Sequence, residues 1–442
     1  MGQQLQTDIF SFTVFGQTMV VLNSAAAAND LLEKRSSIYS DRPKMTVITD
    51  EWLLDARKGL SVCPSGPRFR AYRKMMQKFV TRTAATRYHA YQEVETKAFM
   101  KRLLASTDDL EQSFTQATAG IIMRITYGYE VKSPDDKFVT LASIVNEGVL
   151  RAALPLNFLV DVVPILKYIP AWMPAAGWKR DILTLKSQKD KLVEETFSWT
   201  KASLQAGKAQ SSMVRTLLED IPQMGMPEEE AEDHIKHLAG TMFAAGAETS
   251  VTTLRIFVLA MALYPDAQAD AQAEIDSVVG QNRLPNFEDQ DSLPTVNAII
   301  QEVNRWIPAA PLFQDDVYRG YLIPKGAVLI GNIWAITRDP TVYPEPETFN
   351  PKRFLEGNAP LAPAFGWGRR ICPGRYIAES GLFIAFASML AAFTISKARD
   401  EHGNEIIPEV AVKEKSLRYH LAPFKCDIKP RSERHRALVA DA

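Results

Sequence analysis

Cysteine is scarce in this chain of 442 residues: Cys63, Cys372 and Cys426 are the only ones. An odd, sparse set builds no disulfide framework and suits a reducing compartment or a surface facing one. A surplus of charge is also missing. Lys and Arg total 51 against 52 Asp and Glu, a formal net charge of −1. The bulk basic field that nucleic acid draws on is therefore absent, and no nucleic-acid partner is expected. Long apolar runs are missing too. No window offers about 20 uninterrupted apolar residues, the length of a bilayer-crossing helix. The longest uncharged stretch, 380–396, contains Ser388 and Thr394 and reads as a buried core helix. The first seven residues are polar and lack the apolar segment of a signal peptide. Against these absences stands a hydrophobic content of 46%. That is enough for a large packed core and excludes disorder as the main state.

Apolar periodicity places a hairpin first. Phe10, Phe12 and Val14 alternate with Ser11 and Thr13, and a turn at Gly16 and Gln17 leads into residues 19–22. Helical spacing then dominates, over 25–34, 68–79, 88–104 and 110–127. The segment 154–178 holds Pro155, Pro164, Pro170 and Pro174 among large apolar side chains, so short helices broken by turns are expected. The strongest helix follows Pro227. Glu228, Glu229 and Glu230 place negative charge in its first turn, where the helix dipole favours it, and apolar residues recur to Leu263 before Pro265. Such a helix is long enough to cross the whole molecule. Helices are further expected over 266–279 and from a Ser292 cap with Pro294, and a second hairpin pairs 321–323 with 328–330. Pro373 opens a last long helix. The expected fold is mainly α with small β-sheets, one domain over 1–430, and a charged, frayed tail over 431–442.

Cys372 has unusual surroundings. Gly366 and Gly368 permit a tight turn. Pro373 puts the sulfur beside a helix start, where unpaired N–H groups favour a thiolate, and Arg369 and Arg370 add positive charge. Together they describe a loop presenting one thiolate, as a single axial metal ligand requires. Phe365, Gly368, Arg370, Cys372 and Gly374 in fact resemble, at fixed spacing, the haem-binding signature of the haem-thiolate monooxygenases, the cytochromes P450. Three more segments fit. Residues 245–249, Ala-Gly-Ala-Glu-Thr, resemble the family's oxygen-side helix motif. Glu302 and Arg305, with Arg353 following, resemble its buried Glu-x-x-Arg and later arginine, whose role is structural. Phe69 and Arg73 resemble its Trp-x-x-x-Arg, with the indole replaced by a phenyl ring.

The resemblance implies a haem b between the long central helix and the cysteine-loop helix, with Cys372 as the iron ligand. It implies that Arg370 and Arg73 pair with haem propionates and that Phe365 packs near the sulfur. Gly246 would let the backbone approach the ligand, with Thr249 bonding to dioxygen and Glu248 resupplying protons. The activity implied is insertion of one oxygen atom from O2 into a small, hydrophobic organic substrate. Electrons would come from NADPH through a separate flavoprotein reductase, since no Gly-rich nucleotide fingerprint occurs in this chain. The resemblance is to fungal microsomal members, including those of secondary metabolism. It implies a parent anchored in the endoplasmic reticulum membrane and facing the cytosol, with the anchor absent from this chain. Residues 154–178 are a candidate peripheral bilayer contact. Arg73, Lys74, Lys78 and Arg375 are a candidate reductase-docking patch, with a solvated face as the rival.

The other expectations are plainer. His234 and His237 read as a solvated helix face rather than metal ligands, and Cys63 and Cys426 as ordinary free cysteines. The connection after Arg305, through Ala309, Ala310, Pro311 and Leu312, is short against the family pattern. At about 3.3 Å per extended residue, six missing residues remove roughly 20 Å of path. Either a strand beside the haem is then lost or the helix unwinds near Trp306. The alternative to an active monooxygenase is thus a truncated or internally shortened relative that binds haem poorly and is inactive.

Overall fold

The computed structural model describes every residue except 1–6, 134, 155–156, 309–322, 325, 358 and 412–420. Strands β1 (Ile9–Val14) and β2 (Gln17–Leu22) form the first hairpin, with Ile9 opposite Leu22. Its turn is Phe15 and Gly16, at φ of 48° and 81°, the left-handed pair that a two-residue hairpin requires. Strand β3 (Val328–Gly331) lies parallel to β2, giving the order β1-β2-β3. Tyr321 and Leu322 of the expected second hairpin lie outside the described residues. Residues 25–34 are helical as expected, but only Ala25–Ala28, capped by Ser24, is α; Asn29–Lys34 widens to a π-helix.

The described helices of nine residues or more are α1 (Pro67–Val80), α2 (His89–Ala105), α3 (Leu110–Tyr127), α4 (Lys137–Ala152), α5 (Gly177–Gln205), α6 (Glu228–Leu263), α7 (Pro265–Val278), α8 (Pro294–Trp306), α9 (Arg375–Ala392) and α10 (Glu433–Asp441). A second small sheet has the order β5 (Glu405–Ile406), β4 (Phe393–Arg399), β6 (Cys426–Pro430). The body is therefore mainly α with small sheets.

Helix α6 organises the interior. Its 36 residues, at about 1.5 Å per residue, span roughly 54 Å. It ends at Tyr264, because the residue before Pro265 is pushed out of helical geometry. Its first half joins one apolar core through Ile235, Leu238, Met242, Phe243 and Ala247, packed against α1, α3, α4 and α5. Its second half joins another through Val251, Leu254 and Phe257, packed against α2, α7, α8 and α9. Residues 251–262 are buried without a break, the mark of a helix apolar on every side and enclosed by others. Phe257 stacks on Phe386 of α9 at 3.9 Å. Both α6 and α9 are long and apolar enough to cross a membrane by composition, but 72% of each apolar window is buried in the fold. They are core helices; of the 380–396 stretch expected to be one helix, 380–392 is helical and largely buried, and 393–396 instead opens strand β4.

Two expectations are corrected here. The tail beyond residue 430 is not frayed: Ser432 caps α10, and His435 and Val439 are buried against α2 and α9. The helix carrying Glu302 does not unwind at Trp306. That residue is helical and buried, and its indole N–H donates to Glu347 O at 2.9 Å. Ala309, Ala310, Pro311 and Leu312 lie outside the described residues.

Candidate active site

The cysteine loop is shaped by two glycines in the left-handed region, Gly366 at φ 76° and Gly368 at φ 56°. Only glycine fits at 368: a Cβ there would stand 2.3 Å from Leu32 O and 2.5 Å from Ser36 Cβ. The Gly368 N–H donates to Glu33 Oε2 at 2.5 Å, and the Cys372 N–H closes the loop on Phe365 O at 2.8 Å. The loop thus delivers Cys372 two residues ahead of Gly374, the N-cap of α9. Burial pushes the Cys372 thiol above its ordinary value, against the opposing pull of the Gly374 N–H, Arg73 and Arg375.

Arg370 and Arg73 both reach into this region, but their hydrogen bonds go to backbone carbonyls. Arg370 donates from Nε to Ser40 O (2.8 Å), from Nη1 to Leu60 O (3.3 Å) and from Nη2 to Cys63 O (2.7 Å). Its guanidinium lies 3.8 Å over the ring of Phe69. Burial, with Arg42 beside it, pushes Arg370 down to about 10. Arg73, one turn after Phe69 on α1, donates to Ile371 O at 3.2 Å, and burial lowers it too. Arg73 therefore points inward and is no part of a surface patch. Lys78 is held by Asp220 at 2.6 Å, and Lys74 is exposed.

On α6, Ala245 is exposed although it stands midway between two buried cores. Thr249 donates from Oγ1 to Ala245 O at 2.9 Å, within its own helix and not toward the cysteine loop. Glu248 is half-buried. Neighbouring carbonyls also take side-chain donors: Ala244 O from Asn146 at 2.9 Å and Ala247 O from Thr118 at 2.8 Å. The helix is nonetheless continuous here. A Cβ at Gly246 would stand 2.7 Å from Ile122 Cδ1 of α3, so the glycine also serves the packing of α6 on α3.

Glu302, Arg305 and Arg353 form a fully enclosed cluster. Arg305 donates to both Glu302 oxygens at 2.7 and 2.8 Å, and Arg353 Nε lies 3.2 Å away. The exposed ion pair that i,i+3 spacing suggests in isolation is excluded, since Glu302 and Arg305 are 0% exposed. His234 and His237 are not a solvated face. His234 is buried against Tyr72, and burial lowers His237. No group of three or more metal-ligating side chains occurs among the described residues. Sequence reasoning missed Arg42, whose Nε donates to Ser61 O at 2.9 Å, and Glu33. Both act across hundreds of residues or through backbone atoms, and neither leaves a local motif.

The side chains fit the haem that the resemblance implies. Three guanidiniums, those of Arg42, Arg73 and Arg370, crowd a half-buried region, and each is lowered by burial. Their side-chain hydrogen bonds among the described residues go to carbonyls, so an anionic group placed among them would offset the repulsion between like charges. A soft sulfur ligand stands beside them, as haem iron takes in this mode.

Comparison with known proteins agrees. The family model described as Cytochrome P450 matches residues 3–421. Cytochrome P450 monooxygenase 208 of Postia placenta is 40% identical over 446 residues, covering 98% of this chain and 85% of its own. Cytochrome P450 monooxygenase COX2 of Coprinopsis cinerea is 38% identical over 450 residues, with the same coverage. A zebrafish cytochrome P450 structure with progesterone matches the fold at TM-score 0.80 and 24% identity, over 97% of this chain and 98% of that one. The chain belongs to the cytochrome P450 family, oxygen-incorporating oxidoreductases that hold a haem through a cysteine thiolate.

Proposed function

We propose that this chain inserts one oxygen atom from O2 into a small, hydrophobic organic substrate with electrons passed from NADPH by a separate flavoprotein reductase. The observation that carries this reading is the cysteine loop with the Arg370 guanidinium stacked beside it, together with the half-buried Thr249 and Glu248 on α6, one turn from the exposed Ala245. When bound, haem supplies the activation of O2, so that one oxygen atom enters a substrate C–H bond and the other leaves as water, with two electrons and two protons taken up.

The chain's own residues do the rest. Cys372 Sγ would ligate the haem iron, and Phe365 and Gly368 shape its loop. Arg370 and Arg73 would hold the haem carboxylates. The Thr249 hydroxyl, which donates to Ala245 O, would exchange that bond, of about 1 kcal/mol, to act as a proton donor. Glu248 resupplies its proton from the half-buried side of α6. This division of labour predicts that Thr249→Ala keeps its haem and diverts NADPH-derived electrons into peroxide. Unchanged coupling of NADPH oxidation to product removes Thr249 from the proton path. A panel of aromatic and terpenoid compounds, tested with O2 of heavy isotope, identifies the substrate by label in the product.

Two surfaces belong to the same proposal. Leu159 and Ile165 are each 71% exposed and Trp172 is 81% exposed, with Tyr168 edge-on to exposed Trp52 at 5.6 Å. These side chains rest on the cytosolic face of the endoplasmic reticulum beside the substrate entrance. Trp178 does not join them; it packs on Phe158 and the core beneath. Lys74 and Lys78 on α1, with the half-buried Arg375 at the start of α9, are left as the reductase-facing cations.

A further inference from the structure

Phe69 carries no hydrogen-bond donor in its side chain, yet its ring is not idle. It is 7% exposed and carries the Arg370 guanidinium 3.8 Å above its face. We propose that Phe69 is a positioning residue for the haem carboxylate site, holding Arg370 by cation–π stacking in place of a hydrogen bond to the propionate.

The donor arithmetic supports this. A guanidinium has five N–H donors in one plane. Three are committed to Ser40 O, Leu60 O and Cys63 O, which leaves two in the plane for a carboxylate. Stacking uses the face of the guanidinium and consumes none of them. It also offsets part of the cost of placing this cation beside Arg42 and Arg73. Such a contact is stronger when desolvated, as here, than on an open surface. Helix α1 thereby touches the cysteine loop twice on one face: Phe69 fixes Arg370, and Arg73 one turn later fixes Ile371 O. Because the carbonyl partners of Arg370 lie in 40–63, the same stack also ties that segment to the cysteine loop.

This inference rests on the haem-thiolate reading above, and the test separates the two. Phe69→Leu and Phe69→Tyr are each made with Arg370 and with Arg370→Met. Two quantities are read: the rate of haem transfer to a haem-scavenging protein, and trypsin cleavage after Arg57 or Lys58 in the haem-free chain. With Arg370 present, Phe69→Leu is expected to speed haem loss roughly 5- to 30-fold, the range of a desolvated cation–π contact, and to speed cleavage. Phe69→Tyr keeps the ring and stays within about twofold on both. With Arg370→Met, Phe69→Leu adds less than about twofold, since the contact is already gone. An equal effect of Phe69→Leu in both backgrounds makes the ring mere packing and overturns the proposal. So does Phe69→Tyr behaving like Phe69→Leu. If Phe69→Leu fails to fold, Phe69→Trp takes its place beside Phe69→Tyr, and fast haem loss from both overturns it equally. Wild-type protein without a thiolate-type carbonyl spectrum refutes the haem-thiolate reading instead, while the cleavage comparison still decides the stack.

Discussion

Replacing Glu302 by Ala removes the one carboxylate between two enclosed guanidiniums. Glu302 accepts from Arg305 Nε at 2.7 Å, Arg305 Nη2 at 2.8 Å, Arg353 Nε at 3.2 Å and the Asn350 N–H at 2.7 Å. Arg305 goes on to the carbonyls of Thr337, Pro346 and Thr348, and Arg353 to those of Pro344 and Thr348. The cluster thus fastens the segment 337–353 that leads into the cysteine loop. Breaking a buried pair from one side costs about 3–5 kcal/mol, because it leaves charge uncompensated. With an unfolding entropy of about 2.1 cal/mol/K per residue, a chain of this length loses roughly 1 °C in Tm per kcal/mol, so a fall of about 3–5 °C is expected. Haem content should drop with it. Glu302→Gln, which still accepts hydrogen bonds, should fall between the two. The control is Glu347→Ala, which removes an exposed partner of Arg338 and should cost under about 1 kcal/mol. Circular dichroism melts and haem absorbance measure both. Equal effects of Glu302→Ala and Glu347→Ala would refute the locking role.

Gly246→Ala should destabilise the fold by about 1–3 kcal/mol through collision with Ile122, and Ile122→Val should recover part of it in urea unfolding; no recovery would return Gly246 to the ligand side. Burial alone would raise Asp233, but hydrogen bonds from Lys58 and Arg68 bring it down to about 2. Its folded value lies below the unfolded value near about 3.9. Its stabilisation is therefore present above about pH 4 and lost as pH falls toward about 2. Asp233→Asn should flatten the urea midpoint across that window, and parallel profiles would exclude the network. Leu159→Ala and Trp172→Ala should weaken liposome binding at unchanged Tm, whereas Trp178→Ala should lower Tm; the reverse pattern would make 154–178 ordinary core.

The helices and the cysteine loop were legible because local chemistry dictates them. Pro227 and Pro265 bracket α6, the acidic first turn suits its dipole, and Gly366 and Gly368 take positive φ where the loop demands it. Long-range placement was not legible. Nothing near Gly246 announces Ile122, which lies 124 positions earlier, so the packing role of this glycine left no local trace. Arg370 finds its carbonyl acceptors more than 300 positions away, and backbone acceptors carry no residue identity. The tail misled because its charges lie on the outward face of α10, while the inward His435 and Val439 are too few to mark a helix. Histidines 234 and 237 misled for the opposite reason: polar residues on a long helix read as solvated until Tyr72 is seen covering one of them.

The central claim is that Cys372, and neither of the other cysteines, ligates the haem. The absorption spectrum of the reduced, carbon-monoxide-bound protein tests it most directly. Wild type, Cys63→Ala and Cys426→Ala should all show the thiolate-type band, and Cys372→Ala should lose it. A thiolate-type band persisting in Cys372→Ala would contradict the account.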